Sequence, residues 1–207
     1  MPIPFVAAPF TLLTLVAPEM TEAGRERFYG SYPGWALRAD QSAAVFHEII
    51  VDPNGRVDRC DVIDFVGSER LAKEICRVIK KRNYSPAVGA SGAASYGKIV
   101  DVSRMMLLGT KMGQEVAQVV ASPDFELAVE SLPLAENGRK NVQIVVQVGI
   151  SGGVQDCLPN SPSDEKYAVV ACQSVANEKL QSEKNSAGVA VPYVQKLNVA
   201  FVADQGE

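Results

Sequence analysis

Apolar and polar residues alternate from Val45 to Asp52, placing Val45, His47, Ile49 and Val51 on one face of a predicted strand and Phe46, Glu48 and Ile50 on the other. A Pro53-Asn54-Gly55 turn follows. The pattern resumes from Arg56 through Cys60 to Phe65, so the stretch predicts a β-hairpin. The hairpin then recurs. Val51, Gly55, Val57 and Cys60 reappear 97 residues later as Val148, Gly152, Val154 and Cys157, and at the same spacing Leu37, Tyr96 and Val102 fall on Leu134, Tyr193 and Val199. In the second copy Val142, Ile144, Val146 and Val148 are all apolar, which marks Val45, His47, Ile49 and Val51 as the buried face. Val57 and Cys60 are three residues apart, so a bulge or an outward valine is expected in the second strand.

Gly67-Ser68 opens a helix with Ser68 as N-cap, and Leu71, Ala72, Ile75, Cys76, Val78 and Ile79 form a stripe at helical spacing. It ends near Arg82-Asn83, ahead of Tyr84-Ser85-Pro86-Ala87. A Gly/Ser/Ala-rich loop spans Val88 to Gly97, and a third strand runs from Lys98 to Leu108. At the constant spacing Val100 matches Leu197 and Val102 matches Val199, which predicts an inner face for these valines. Ile99, Asp101, Ser103 and Met105 then point away from the core. Gly109 to Pro123 connects the halves, loosened by Gly113, with a short helix expected over Val116 to Val120. In the second half Ser161-Pro162 starts a helix whose stripe is Ala168, Ala171, Cys172 and Val175, and the last strand runs from Val191 to Ala203.

The expected fold is therefore α+β: two tandem ββαβ units, each a small antiparallel three-stranded sheet packed on one helix. They occupy residues 29–108 and 125–203, joined by a linker over 109–124, with residues 1–28 as an N-terminal apolar segment. The two sheets are expected to be separate. In the first, the crossover returns strand three beside strand one and leaves strand three at an edge.

The composition fits two small units, since 207 residues at 47% hydrophobic and 21% charged can fill two modest cores. A net charge of −4, with no basic cluster larger than Lys80-Lys81-Arg82 at the end of the helix, disfavours nucleic acid as a partner. An enzyme is not expected. The acids are scattered, and Gly149-Ile-Ser-Gly-Gly153 is the counterpart of the Pro-Asn-Gly turn rather than a phosphate-cradling loop. The one histidine, His47, takes the place of Ile144 and reads as structural, and Trp35 reads as a packing residue. Neither catalytic residues, nor a metal site, nor a small-molecule cofactor is expected.

Four cysteines form two equivalent pairs, Cys60 with Cys76 and Cys157 with Cys172, one residue closer in the second copy and without Cys-x-x-Cys spacing. Two intra-unit disulfides are expected, each closing a loop of about 15 residues and contributing roughly 3 kcal/mol. Four buried free thiols are the alternative. The N-terminal run from Met1 to Pro18 is apolar but holds three prolines in its first nine residues and no basic residue. Two readings stay open: a remnant of an export signal, or an extended segment lying on the first unit.

The first unit carries Tyr32-Pro33, then Val51-Asp-Pro-Asn-Gly55-x-Val57-x-x-Cys60 in the hairpin, then Tyr84-Ser-Pro86-Ala87 after the helix. In these elements it resembles the C-terminal domain of TonB, in a cysteine-bearing variety. The second unit lacks the Tyr-Pro and aromatic-x-Pro-Ala elements and resembles the family as a degenerate copy. The resemblance implies a periplasmic, TonB-like α+β binding module of the Gram-negative envelope and does not by itself imply energy transduction; the expected function is capture of an extended peptide of an outer-membrane receptor by β-strand addition, with energy-dependent transport as a further link. The resemblance also implies the edge that receives the peptide, namely strand three with Ile99, Asp101, Val102, Ser103 and Met105. Another envelope protein or a second copy as a homodimer would also suit such an edge. The alternative function is a periplasmic structural or assembly protein whose two units pair with each other.

Overall fold

The structure, a computed structural model, describes residues 14–132 and 138–203. The expectations for residues 1–13 and the match of Leu37 to Leu134 lie outside them. In chain order the elements are β1 (Glu19–Met20), α1 (Glu22–Tyr29), α2 (Gly34–Arg38), β2 (Ala43–Val51), β3 (Val57–Gly67), α3 (Glu69–Ile79), β4 (Tyr84–Ser85), β5 (Ala87–Val88), β6 (Ala94–Met105) and α4 (Lys111–Ala117). The second half adds β7 (Phe125–Val129), β8 (Arg139–Val148), β9 (Val154–Pro159), α5 (Glu165–Val175), β10 (Glu183–Lys184), β11 (Ala190–Val191) and β12 (Tyr193–Ala203). The fold is α+β.

Two antiparallel three-stranded sets, β3-β2-β6 and β9-β8-β12, are built as the hairpin pattern dictates. Each hairpin carries a bulge at one shared place, between Ile50 and Val51 in β2 and between Gln147 and Val148 in β8. This is the bulge that the spacing of Val57 and Cys60 calls for. Both turn glycines need a left-handed backbone. Gly55 has φ +78° and a Cβ there would stand 2.2 Å from the Tyr84 carbonyl oxygen; Gly152 has φ +87° and would meet the Leu180 oxygen at 2.1 Å. Gly55→Ala should therefore cost about 1–2 kcal/mol through backbone strain and displacement of the segment after α3, read as a lower urea midpoint at unchanged slope.

The first core lies under α3. Leu71, Ala72, Ile75, Val78 and Ile79 are buried against Val45, Ile49, Val51, Tyr84 and Met105, and each large side chain contributes about 1.5–3 kcal/mol. The second core sets Ala168, Ala171 and Val175 of α5 against Val142, Ile144, Val146, Val148, Tyr193, Leu197, Val199 and Phe201. Disulfides join Cys60 to Cys76 and Cys157 to Cys172, tying each helix to its hairpin. Trp35 packs on the first core with the Arg70 guanidinium 3.9 Å from its ring centroid.

The expectation of separate sheets is corrected. Strands β6 and β12 pair in parallel through Tyr96 with Tyr193, Gly97 with Val194 and Lys98 with Gln195, so both sets belong to one eight-stranded sheet. Tyr96, on the face of β6 opposite α3, packs into the core under α5. The two helices therefore cover opposite faces. The linker is likewise ordered, because α4 begins at Lys111, with Thr110 as N-cap, and buries Val116 against Ala44 and Val102.

The Gly/Ser/Ala-rich stretch after α3 is not a loop but an arm. Residues 84–95 fold through β4, β5 and a turn at Gly89–Gly92 and lie on the second half, where Ala87 is buried with Val145 and Val194. Residues 183–191 make the matching arm through β10 and β11, and it lies on the first half, where Glu183 meets Lys98 and Arg59. The arms are exchanged.

Candidate functional site

Strand β6 is paired along one side only for most of its length. Residues Gly97 to Met105 match Val51 to Ala43 of β2, whereas β12 covers just Tyr96 to Lys98. Beyond that joint the same edge of β12 is taken by β7, with Phe125–Val129 parallel to Val199–Ala203. Among the described residues no strand pairs with the outer side of β6 from Ile99 to Met105. The Val102 amide donates to its neighbour's carboxylate, Asp101 Oδ1, at 2.7 Å. That amide faces outward rather than into the ladder with β2, and Asp101 caps it. Unpaired edges recruit further strands unless they are blunted, and a charged side chain folded onto its own edge is one way of blunting them.

A cleft of about 660 Å³ opens beside this edge. Ile99, Asp101 and Ser103 line one side, Lys196 and Asn198 of β12 the other, and Met20, Arg25, Phe28 and Tyr29 close it. Local chemistry places that wall. Thr21 caps α1 by accepting from the Gly24 amide at 3.1 Å, and its hydroxyl donates to the Asn83 carbonyl at 3.0 Å, which fastens α1 to the end of the α3 segment. Arg82, buried, holds the far end of α1 by donating to the Arg27 carbonyl at 3.0 Å and to Ser31. A single ion pair, Lys196 to Glu19 at 3.0 Å, links β12 to β1 beside the cleft, and its exposure makes it weak. A second hollow of about 260 Å³ follows the strand's end, lined by Phe28, Tyr29, Tyr32, Met105, Met106 and Leu108. It is apolar, with Arg104 beside it.

Beneath the edge sits His47, 3% exposed, with Nε2 2.8 Å from Ser103 Oγ and Nδ1 without a partner among the described residues. A serine and a histidine in contact do not make a nucleophile here, since no acid orients the imidazole from Nδ1. Desolvation lowers the His47 pKa below its ordinary 6.5, and nearby Asp101 only partly opposes this. The folded state therefore holds the ring neutral. Because the unfolded chain takes up that proton first, the contribution is intact above about pH 6.5 and is lost as pH falls from there toward the folded pKa. His47→Ile, which installs the residue of the repeat, should flatten this part of the acid limb below about pH 6.5, checked by urea midpoints at each pH. An unchanged limb would show that other groups set it.

The faces of strand three are reversed from the expectation. Ile99 and Met105 pack on the α3 core, Asp101 and Ser103 share that side, Val100 is exposed, and Val102 is buried on the opposite face beneath α4. The cause is a one-residue slip. Cys60 and Cys157 are 97 apart, but Cys76 and Cys172 are 96 apart, so one residue is lost within the second copy's hairpin-to-helix segment. Gly92 and Gly188, both at positive φ, keep the 96 spacing, as do the arm strands, so β6 and β12 correspond at 96. A slip of one turns every side chain to the other face. The strand also starts earlier than expected, at Ala94, and ends at Met105.

The cleft walls, Arg25, Tyr29, Lys196 and Asn198, carry no sequence signal of their own, because they meet only through the joint of the two halves. Among the described residues there is no group of three or more potential metal-ligating side chains, and no helix is long and apolar enough to cross a membrane. Residues 29–103 match a family model, that of the Gram-negative bacterial TonB protein C-terminal. No curated protein and no solved structure matches the chain.

Proposed function

We propose that the first half of the chain, whose residues 29–103 match the family model of the Gram-negative bacterial TonB protein C-terminal, is a periplasmic protein-binding module that captures an extended peptide of an outer-membrane receptor by strand addition, in the service of energy-dependent transport. Its site is the outer edge of β6 from Ile99 to Met105, with Asp101, Val102 and Ser103 between. The reading rests above all on one observation: this edge is unpaired among the described residues and borders a cleft of about 660 Å³. Backbone groups of the strand would supply affinity, and the flanking cleft and apolar hollow would select side chains. In this reading residues 29–108 are the binding unit, 109–124 the connector and 125–203 a degenerate copy that stabilises the first. No catalysis is involved.

A second reading has support of its own, because the halves share a sheet and exchange arms. In it the protein is a structural or assembly component of the envelope whose two units serve each other. Photo-cross-linking in Gram-negative cells separates the two. A photoreactive residue at Val100 is expected to trap one outer-membrane protein, whereas the same residue at Ile63, on the sheet's outermost strand, is not. Equal labelling from both positions, or none from Val100, would favour the assembly role.

A further inference from the structure

The two exchanged arms rest on surfaces of opposite chemistry, and we propose that this difference makes the halves mutually specific: the outer face of the first half's sheet accepts the Glu183 arm of the second half and rejects the Ala87 arm of another copy of this chain. The strand registers fix which positions correspond. Glu48 opposes Asp61 as Val145 opposes Leu158, Ile50 opposes Lys98 as Gln147 opposes Val194, and Ala87 opposes Ser95 as Glu183 opposes Val191. On one side of the joint Glu183, 1% exposed, is held by Lys98 at 2.5 Å and Arg59 at 2.7 Å, and Glu48 meets the same Lys98 at 2.8 Å and Arg59 at 2.5 Å. On the other side Ala87, fully buried, sits with Val145, Val194 and Leu158. Four corresponding positions are charged in one surface and apolar in the other: Glu48, Asp61, Lys98 and Glu183 against Val145, Leu158, Val194 and Ala87.

Each arm tip is fastened by a backbone amide, and on one side the Ser186 hydroxyl adds a bond to Asp58 Oδ1 at 2.6 Å. The Ala90 amide donates to Gln147 Oε1 at 2.8 Å, and the corresponding Ser186 amide donates to Asp58 Oδ2 at 2.6 Å. Discrimination falls chiefly to the surfaces. If the first halves of two chains paired with each other, a methyl group would cover Lys98 and Arg59, which would both lose the Glu183 carboxylate that each now holds. If the second halves paired, the Glu183 carboxylate would be buried on valines without a partner. Both are penalised more than the unlike pairing, in which the buried Glu183 carboxylate meets two cations. The connector keeps the unlike half at high effective concentration, so the partner of each half is the other half of its own chain.

Two differently tagged full-length proteins, unfolded together in urea with disulfides intact and refolded as a concentrated mixture, test this by light scattering and capture through one tag. The wild type is expected to return as monomer without mixed-tag species. Glu48→Val, Arg59→Asp, Asp61→Leu, Lys98→Val and Glu183→Ala combined give the first surface the side chains of the second, and mixed-tag species should rise on the order of a hundredfold. Ala87→Glu, Val145→Glu, Asp156→Arg and Val194→Lys combined install a charged cluster on both sides and should raise them similarly, which keeps the test open if the first variant does not refold. Mixed-tag species from the wild type would overturn the proposal, as would two refolded variants that stay as strictly monomeric as the wild type.

Discussion

Replacing Lys98 with alanine is expected to destabilise the protein by about 3–5 kcal/mol, the largest effect of any single side chain on its surface or joint. Lys98 is 6% exposed and lies between two carboxylates, Glu183 Oε1 at 2.5 Å and Glu48 Oε2 at 2.8 Å. Its removal leaves Glu48, Glu183 and Asp61 around one guanidinium, that of Arg59, and Glu183 and Glu48, 1% and 13% exposed, are where water screens the excess charge least. The ammonium also stands 5.8 Å from the Tyr193 ring centroid, a further contact across the joint. Lys111 with Glu115, 4.0 Å apart and 90% and 59% exposed, offers the contrast, and Lys111→Ala should change little. Urea unfolding at pH 7 is the measurement. A loss below about 1 kcal/mol would mean that the cluster stays hydrated in the variant, and its role in the joint would have to be revised. The asymmetry between breaking and replacing also matters, since exchanging Glu48, Lys98 and Glu183 together for apolar residues should cost far less than removing Lys98 alone.

The sequence carries more of this architecture than its weak repeat suggests, and the errors have two sources, a slipped register and contacts between the halves. Hairpins, turn glycines, the α3 stripe, the N-cap at Ser68 and both cysteine pairs are local patterns, and local patterns are what a chain displays directly. Assigning the faces of β6 requires tracking register across a helix, and the shortened cysteine interval of the second copy, Cys157 to Cys172 against Cys60 to Cys76, held the missing residue. Read at 96 rather than 97, the copy places Ile99 and Met105 inward and matches Met105 to Phe201. The shared sheet had no such signal. Small residues of the 84–95 arm resemble a loop because they pack against the other half rather than their own. Glu48 and Lys98 gave a partial hint: they are charged where the copy has Val145 and Val194, which a solvated face explains equally well until the arms are seen.

Val102→Pro is expected to lower capture of the receptor segment on the order of a hundredfold while the protein stays folded. The choice of position follows from the hydrogen bonding. The Val102 amide is bonded to Asp101 Oδ1 and faces the open edge, so proline there takes nothing from the ladder between β2 and β6. An added strand, in contrast, would need that donor, and the pyrrolidine ring would stand in its path. Asp101→Ala supplies the opposite case, because it releases the capped amide and should strengthen capture several-fold, in line with one freed backbone donor. Phe65→Pro is the control for an edge outside the site. Its amide is capped by Asp64 Oδ1 at 2.8 Å on the outermost strand, so the same chemical change is made where no receptor is expected. Binding of the segment trapped through Val100, measured by fluorescence anisotropy with circular dichroism as the folding check, orders the variants as Asp101→Ala above wild type, Phe65→Pro equal to it and Val102→Pro far below. A folded Val102→Pro protein with wild-type affinity would remove β6 as the receiving edge, and weakened binding by Phe65→Pro would move the site to β3.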